Sequence, residues 1–354
     1  MCWRRQPWGV TVVDHRQQFS EYHNETTTVP PCIMTVPGIT PPVFLEHLAD
    51  RNGKLAGLLL AAAAPSAQPD DELTTLAGAF PCFIPDGLDD AQAWLDAGWK
   101  VLPEEQVQRV DGAFDKGALA PNAAWLAGDW PLAPPAKAVG AQAASRALAL
   151  QLVQLVSNDA DTHEIEALLR RDPTLSYHLL KVVNSLSMGS GRKVGSFAQA
   201  ILILGRQQLR RWLNLMLFSA REGDVRSPML LARVAVRAHA LEMLARETGM
   251  GKPQQEQAFM VGMFSLLGVL FGMPLPEVLA PLTVSDAVAH ALLDKEGELG
   301  ALLALVEAAE RRDFAAIAAR LPALPLEPDD FNRIVGESHS WMLSVATDRG
   351  SAHG

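Results

Sequence analysis

Apolar residues are spaced in two different ways along this chain. From residue 143 onward they return every three or four positions, the period of a helix with one buried face. Before residue 127 they come in short runs broken by proline, glycine and aspartate. PVFLEHLADR (42–51) reads as a helix, and GKLAGLLLAAAA (53–64) as a buried strand or an apolar helix. DDELTTLAGA (70–79) is a capped helix, PCFIPD (81–86) a short strand, and DDAQAWLDAG (89–98) a helix with Asp at its start and Gly at its stop. WKVLPEE (99–105) returns to strand. Further upstream, TTTVPPCIMTVPGITPP is too rich in proline for a helix, and PCIMTV within it suits a short strand. Short strands alternating with short helices predict an α/β module with a partly parallel sheet.

The proline-rich GDWPLAPPAKAVGAQA (128–143) marks a boundary, and no strand signal follows it as far as residue 347. HEIEALLRR opens after Asp161 and Thr162, both suitable N-caps; DPTLSYHLLKVVNSL opens on Asp172 with Pro173 in its first turn. FAQAILILG and QQLRRWLNLMLFSA flank Gly205, and SPMLLARVAVRAHALEMLARETG makes one long helix from Ser227 to Gly249. The expected fold is therefore an α+β multidomain chain, with a small α/β module over residues 1–136 and an all-helical domain over 137–354.

QAFMVGMFSLLGVLFGMPLP (257–276) carries no charge. Pro274 and Pro276 leave roughly 16 helical residues after Gln257, against about 20 for a membrane span. Gly262, Gly268 and Gly272 dilute its hydrophobicity, and its flanks are glutamates. A buried central helix, with no membrane span, is the expectation.

The order of motifs over residues 145–320 resembles the HDOD domain, a helical regulatory relative of the HD-type metal phosphohydrolases. The resemblance is carried by Asp172, Pro173 and Leu175, then Leu179 and Leu180, then Val183, Asn184 and Ser185. Ala200, Leu204, Gly205 and the helix AFMVGMFSLLG complete it. In the hydrolase relatives the last helix holds adjacent His and Asp that bind a divalent metal, which makes a bound water nucleophilic. The corresponding positions here are Phe264 and Ser265: Phe has no lone pair, and a neutral Ser is a poor substitute for Asp. His239 and His290 are the nearest histidines. The resemblance thus implies no metal, no cofactor and no catalytic residue, and predicts that the chain is not an enzyme.

Other side chains have plainer readings. His178 and His239 read as helix-face histidines, and Asn184 with Ser185 as a helix junction. Arg206, Arg210, Arg211 and Trp212 form a basic–aromatic cluster, near Arg192 and Lys193, that suits an anion or a partner protein. A cyclic dinucleotide stays open as ligand, although no phosphate-binding loop supports it. HDOD domains often follow an EAL domain, a cyclic di-GMP phosphodiesterase barrel, and residues 100–135 are similar in outline to the end of one. Neither Glu-Ala-Leu nor Asp-Asp-Phe-Gly occurs; the nearest strings are Glu46-His47-Leu48, Asp71-Glu72-Leu73 and Leu88-Asp89-Asp90-Ala91. The first module therefore reads as a truncated, degenerate EAL-like piece or an unrelated α/β fold.

Composition narrows the partners. The chain of 354 residues is 49% hydrophobic and has a net charge of −10, with pI about 5.4, which argues against nucleic acid. Cys2, Cys32 and Cys82 are odd in number and form no CxxC pair, so they read as reduced thiols of a cytoplasmic protein. The N-terminus has two arginines but no apolar run typical of a signal peptide. The function expected is regulatory, through contact with other signalling proteins and linked to cyclic-dinucleotide or two-component signalling. Two alternatives stand beside it: an HD-type phosphohydrolase with an atypical ligand set, and a nucleotide-binding sensor.

Overall fold

A computed structural model of the chain describes residues 41–62, 67–135, 160–169 and 224–346, apart from 281 and 283, together with scattered positions between 151 and 218. The first half of the described chain builds a six-stranded sheet in the order β4-β3-β2-β1-β6-β5. Its strands are β1 (Val43–Ala49), β2 (Leu55–Ala62), β3 (Cys82–Pro85), β4 (Lys100–Leu102), β5 (Val107–Arg109) and β6 (Trp125–Ala127). β2, β3 and β4 run parallel, with α1 (Asp71–Ala79) and α2 (Gln92–Asp96) as crossovers. The expected N-terminal cap of α1 is present, since the Asp70 carboxylate accepts the Leu73 N–H. β1 lies antiparallel to both β2 and β6.

β1 corrects the helix expected over 42–51. It is a central strand covered on both faces, and all of its residues except Glu46 are buried. The polar–apolar alternation that marks a half-exposed strand is therefore missing, and the remaining spacing imitates a helix. The segment at 53–64 resolves to strand β2.

After the sheet, the described elements are helical: α3 (Thr162–Leu169), α4 (Ser227–Glu247), α5 (Lys252–Phe264), α6 (Leu267–Phe271) and α7 (Leu275–Leu279). They continue as α8 (Asp286–Leu293), α9 (Gly297–Glu310), α10 (Phe314–Arg320) and α11 (Pro328–Ala346). α4 is the axis of this region. Pro228 sits in its first turn, and Gly249 with φ +82° follows its end. Gly262 lets α5 lie directly on α4; a Cβ there would fall 2.4 Å from the Ala238 Cα.

The stretch 257–276 is buried as expected but is not one helix. The Ser265 hydroxyl donates back to the Gly262 carbonyl at 2.7 Å, and Leu266 leaves helical geometry at φ −106°, ψ 7°. α6 then closes on Gly272 in the left-handed region. Among the described residues no helix is long and apolar enough to cross a membrane.

Sheet and helices share one continuous core, which runs from Val43 and Leu45 through Leu241 and Phe264 to Met342. α11 seals the start of β1: the Asn332 side chain accepts the Val43 N–H at 2.9 Å and donates to the Pro41 carbonyl at 3.0 Å.

Candidate functional site

Phe264 and Ser265 end α5. Phe264 is fully buried in the core. Ser265 faces α4, where its hydroxyl accepts a hydrogen bond from Arg237 Nη1 at 2.8 Å. Arg237 is 4% exposed. Its Nε donates to Glu310 Oε1 at 2.7 Å, its Nη2 pairs with the other Glu310 oxygen, and Glu307 lies 3.7 Å from Nη1. Burial works against its charge; the Glu310 carboxylate, then Glu307, more than offset that, so its pKa stands above the usual arginine value. A guanidinium therefore hydrogen-bonds Ser265, one of the two positions to which the resemblance assigned metal ligands. No three His, Cys, Asp or Glu among the described residues are grouped to hold one. Ser265 facing a fixed cation does not fit a metal, and no step through a metal is derived.

Glu310 connects this buried centre to a cleft of about 290 Å³ between the sheet and the helices. β1 supplies Glu46 and His47, the turns after β5 and β6 supply Asp111 and Asp129, α4 supplies Arg233, and the end of α9 supplies Glu310, Arg311 and Arg312. Arg109 grips Glu46 with two hydrogen bonds of 2.7 and 2.9 Å, while Arg312 stands 3.5 Å away. The Glu46 hydrogen bond is the main reason the Arg109 pKa lies above its ordinary value. Arg233 pairs with Asp129 at 2.9 Å. The Arg311 side chain has no hydrogen-bond or ion-pair partner among the described residues. Arg312 takes a left-handed backbone (φ 58°) as the chain turns out of α9.

Two histidines lie beneath this cleft. His339 of α11 is fully buried; its Nδ1 is 2.7 Å from the Val335 carbonyl and its Nε2 3.2 Å from the Leu45 carbonyl. A neutral ring has one N–H, so only one of the two contacts is a hydrogen bond. Burial pushes its pKa down to about 4 against the two carbonyls and Glu310, which favour the charged form. The His47 ring meets it edge-on at 5.3 Å, and His47 Nε2 is buried without a hydrogen-bond partner among the described residues. Burial, then the charges of His339 and Arg233, hold His47 well below the ordinary value. Both rings are neutral at pH 7.

The residues anticipated from sequence fare unequally. Asp172, Pro173, Leu175, His178, Asn184, Ser185, Leu204, Gly205, Arg206, Arg210 and Trp212 lie outside the described residues. Arg211 is bound by Glu242 (2.5 and 2.9 Å) and Glu256 (2.8 Å), and lies over the Phe259 ring at 4.6 Å. His239 stacks on Trp341 and sits 3.2 Å from Ser338 Oγ; burial, then Arg211 and Arg246, lower its pKa to about 4. His290 is exposed on α8. Sequence reasoning missed Arg237, Glu310, His47 and His339. The signal for Arg237 was present: it interrupts the apolar face made by Val234, Ala238 and Leu241.

The family model of the HDOD domain matches residues 144–299. A Vibrio cholerae protein named cyclic di-GMP phosphodiesterase CdgJ is 32% identical over 200 residues, 56% of this chain and 46% of that one. The uncharacterized protein YuxH of Bacillus subtilis is 30% identical over 165 residues, 46% of this chain and 40% of that one. The chain thus spans less than half the length of these curated relatives. A crystal structure from Shewanella amazonensis SB2B, of a protein provisionally named a phosphohydrolase, aligns at 17% identity and TM-score 0.42 over 57% of this chain and 93% of that one. That likeness is too distant to carry an argument.

These comparisons support an HDOD domain on the helical side of an α+β chain, with one relative named for cyclic di-GMP. They correct the expectation that the chain is not an enzyme, because a relative at 32% identity is named a phosphodiesterase. The expectation rested on residues 264 and 265 and on the lack of EAL motifs. A missing ligand pair at one position does not decide whether chemistry occurs at another.

Proposed function

We propose that this protein works in the turnover of cyclic di-GMP, with its HDOD segment contacting other signalling proteins. The observation that carries the reading is the match of 144–299 to the HDOD family, joined to the 32% identity with a cyclic di-GMP phosphodiesterase. The reading treats 1–136 and 137–354 as two modules of a cytoplasmic protein. Cys82 is buried, and burial raises its thiol pKa to about 12, which suits a thiol kept reduced and inert. A second reading, a phosphohydrolase with a ligand set other than a His–Asp pair at 264–265, is favoured by the name of the Vibrio relative.

The test is incubation of the purified full chain with cyclic di-GMP, with and without added divalent cation, followed by chromatography of the products. Conversion to the ring-opened dinucleotide supports the second reading together with the first. Binding without conversion supports a role in controlling turnover. Neither binding nor conversion overturns the assignment to this messenger.

A further inference from the structure

We propose that the cleft between β1, the turns after β5 and β6 and the end of α9 is a nucleotide-binding site, with its phosphate held by Arg311 and Arg312. Its volume of about 290 Å³ lies at the small end of ligand pockets, which suits one nucleotide unit rather than a larger cofactor. Two cations at its mouth are poorly matched. Arg311 has no partner among the described residues, and Arg312 is 3.5 Å from a Glu46 that Arg109 already holds with two shorter bonds. The carbonyl end of α9 repels an anion, so these guanidiniums must supply the attraction, and arginine forks suit phosphate geometry.

Deeper in the cleft the chemistry changes. His47 is 9% exposed and lines the wall, and its Nε2, itself shielded from solvent, has no hydrogen-bond partner among the described residues. Buried polar atoms are rarely left so, and a ligand that opens this wall is one source of the missing partner. At the rim, the only hydrogen bond to the Asp111 carboxylate among the described residues is the Asp129 N–H at 3.3 Å. Arginine for phosphate, with a carboxylate and a neutral imidazole for hydrogen bonds to a base edge, fits a nucleotide better than a simple anion. A bare metal ion would face Arg233, Arg311 and Arg312. The inference rests on the proposed function only for the choice of messenger: cyclic di-GMP contains two guanylate units, and one would fill the cleft.

The test is isothermal titration of the full chain with GMP, cyclic di-GMP and inorganic phosphate. It is repeated for Arg311→Ala, for Arg311→Ala with Arg312→Asn, and for Arg320→Ala as a distant exposed control. Asparagine is chosen at 312 because it accepts the left-handed backbone there. Thermal melts establish that each variant is folded. The expected result is binding of at least one nucleotide, weaker binding of inorganic phosphate, about tenfold loss in Arg311→Ala, a larger loss in the double variant, and no change in Arg320→Ala. Cyclic di-GMP binding that ignores the arginine substitutions overturns the site and leaves the proposed function standing. Arginine-dependent binding of GMP alone keeps the site and removes the messenger. No binding of either nucleotide overturns the site.

Discussion

Arg237 and Arg311 stand on either side of Glu310 and illustrate opposite uses of one side chain. Arg237 is 4% exposed, and its donors go to Glu310, Ser265 and the nearby Glu307. Arg311 is exposed at the end of α9, and its side chain has no partner among the described residues. A buried guanidinium cannot exist without such saturation, because taking its charge out of water costs several kcal/mol. An exposed one keeps its hydration and costs the fold nothing to leave free. The saturated centre ties α4, α5 and α9 together, and the free arginine beside it stays available to something outside the chain.

The largest test of that contrast is Arg237→Ala. It leaves Glu310, whose side chain is 8% exposed, without its counter-charge. A loss of about 3–5 kcal/mol is expected, read from the urea midpoint at unchanged slope. The double change Arg237→Met with Glu310→Gln should recover much of that loss, since it removes both charges and keeps the volume. A loss below about 1 kcal/mol in Arg237→Ala would mean that the centre is not the tie described here.

The next effect is in pH. Burial holds His339 at about 4 in the folded chain, below the ordinary 6.5. The unfolded chain therefore binds more protons between those values, so stability is full above about pH 6.5 and falls as pH drops toward 4. His339 alone contributes on the order of 3 kcal/mol over that window, and His47, shifted the same way, adds to it. Denaturant melts from pH 7 to 4 measure the slope, and His339→Asn should flatten it. An equally steep slope in that variant would assign the dependence to other groups.

A smaller loss is expected from Gly262→Ala. The new methyl meets backbone of α4, with the Ala238 Cα at 2.4 Å, so the helices must separate. About 1–3 kcal/mol is the usual cost of such overpacking. Thermal melts measure it, and a neutral outcome would mean that α4 and α5 separate without loss.

These tests also mark what could be read from the sequence. α4 was legible because its signals are local: Pro228 near the start, apolar spacing throughout, and Gly249 after the end. The buried nature of 257–276 was legible from its lack of charge, but its break was not, because a serine hydroxyl returning to Gly262 looks like any other helical serine. β1 was misread because both of its faces are covered. The cleft was invisible for a further reason. Its parts lie far apart in the chain, with Glu46 and Arg312 separated by 266 positions and Arg237 and Glu310 by 73. Local spacing carries no record of such pairs. The basic cluster that sequence did single out includes Arg211, which the fold commits to Glu242 and Glu256.

The smallest predicted effect is the most discriminating. Arg311→Ala should change stability by no more than about 0.5 kcal/mol, as for other surface positions without partners. The carbonyl end of α9 favours a cation there by a few tenths of a kcal/mol, and that attraction is screened by salt. Arg312 at the next position supplies a similar charge. A melt unchanged within error would show that this arginine does nothing for the folded chain. Its charge, set at the mouth of a cleft where Arg233 is held by Asp129 and Arg312 only weakly by Glu46, would then have only a ligand to act on. A loss of 1 kcal/mol or more would instead reveal a structural partner and make Arg311 a second Arg237.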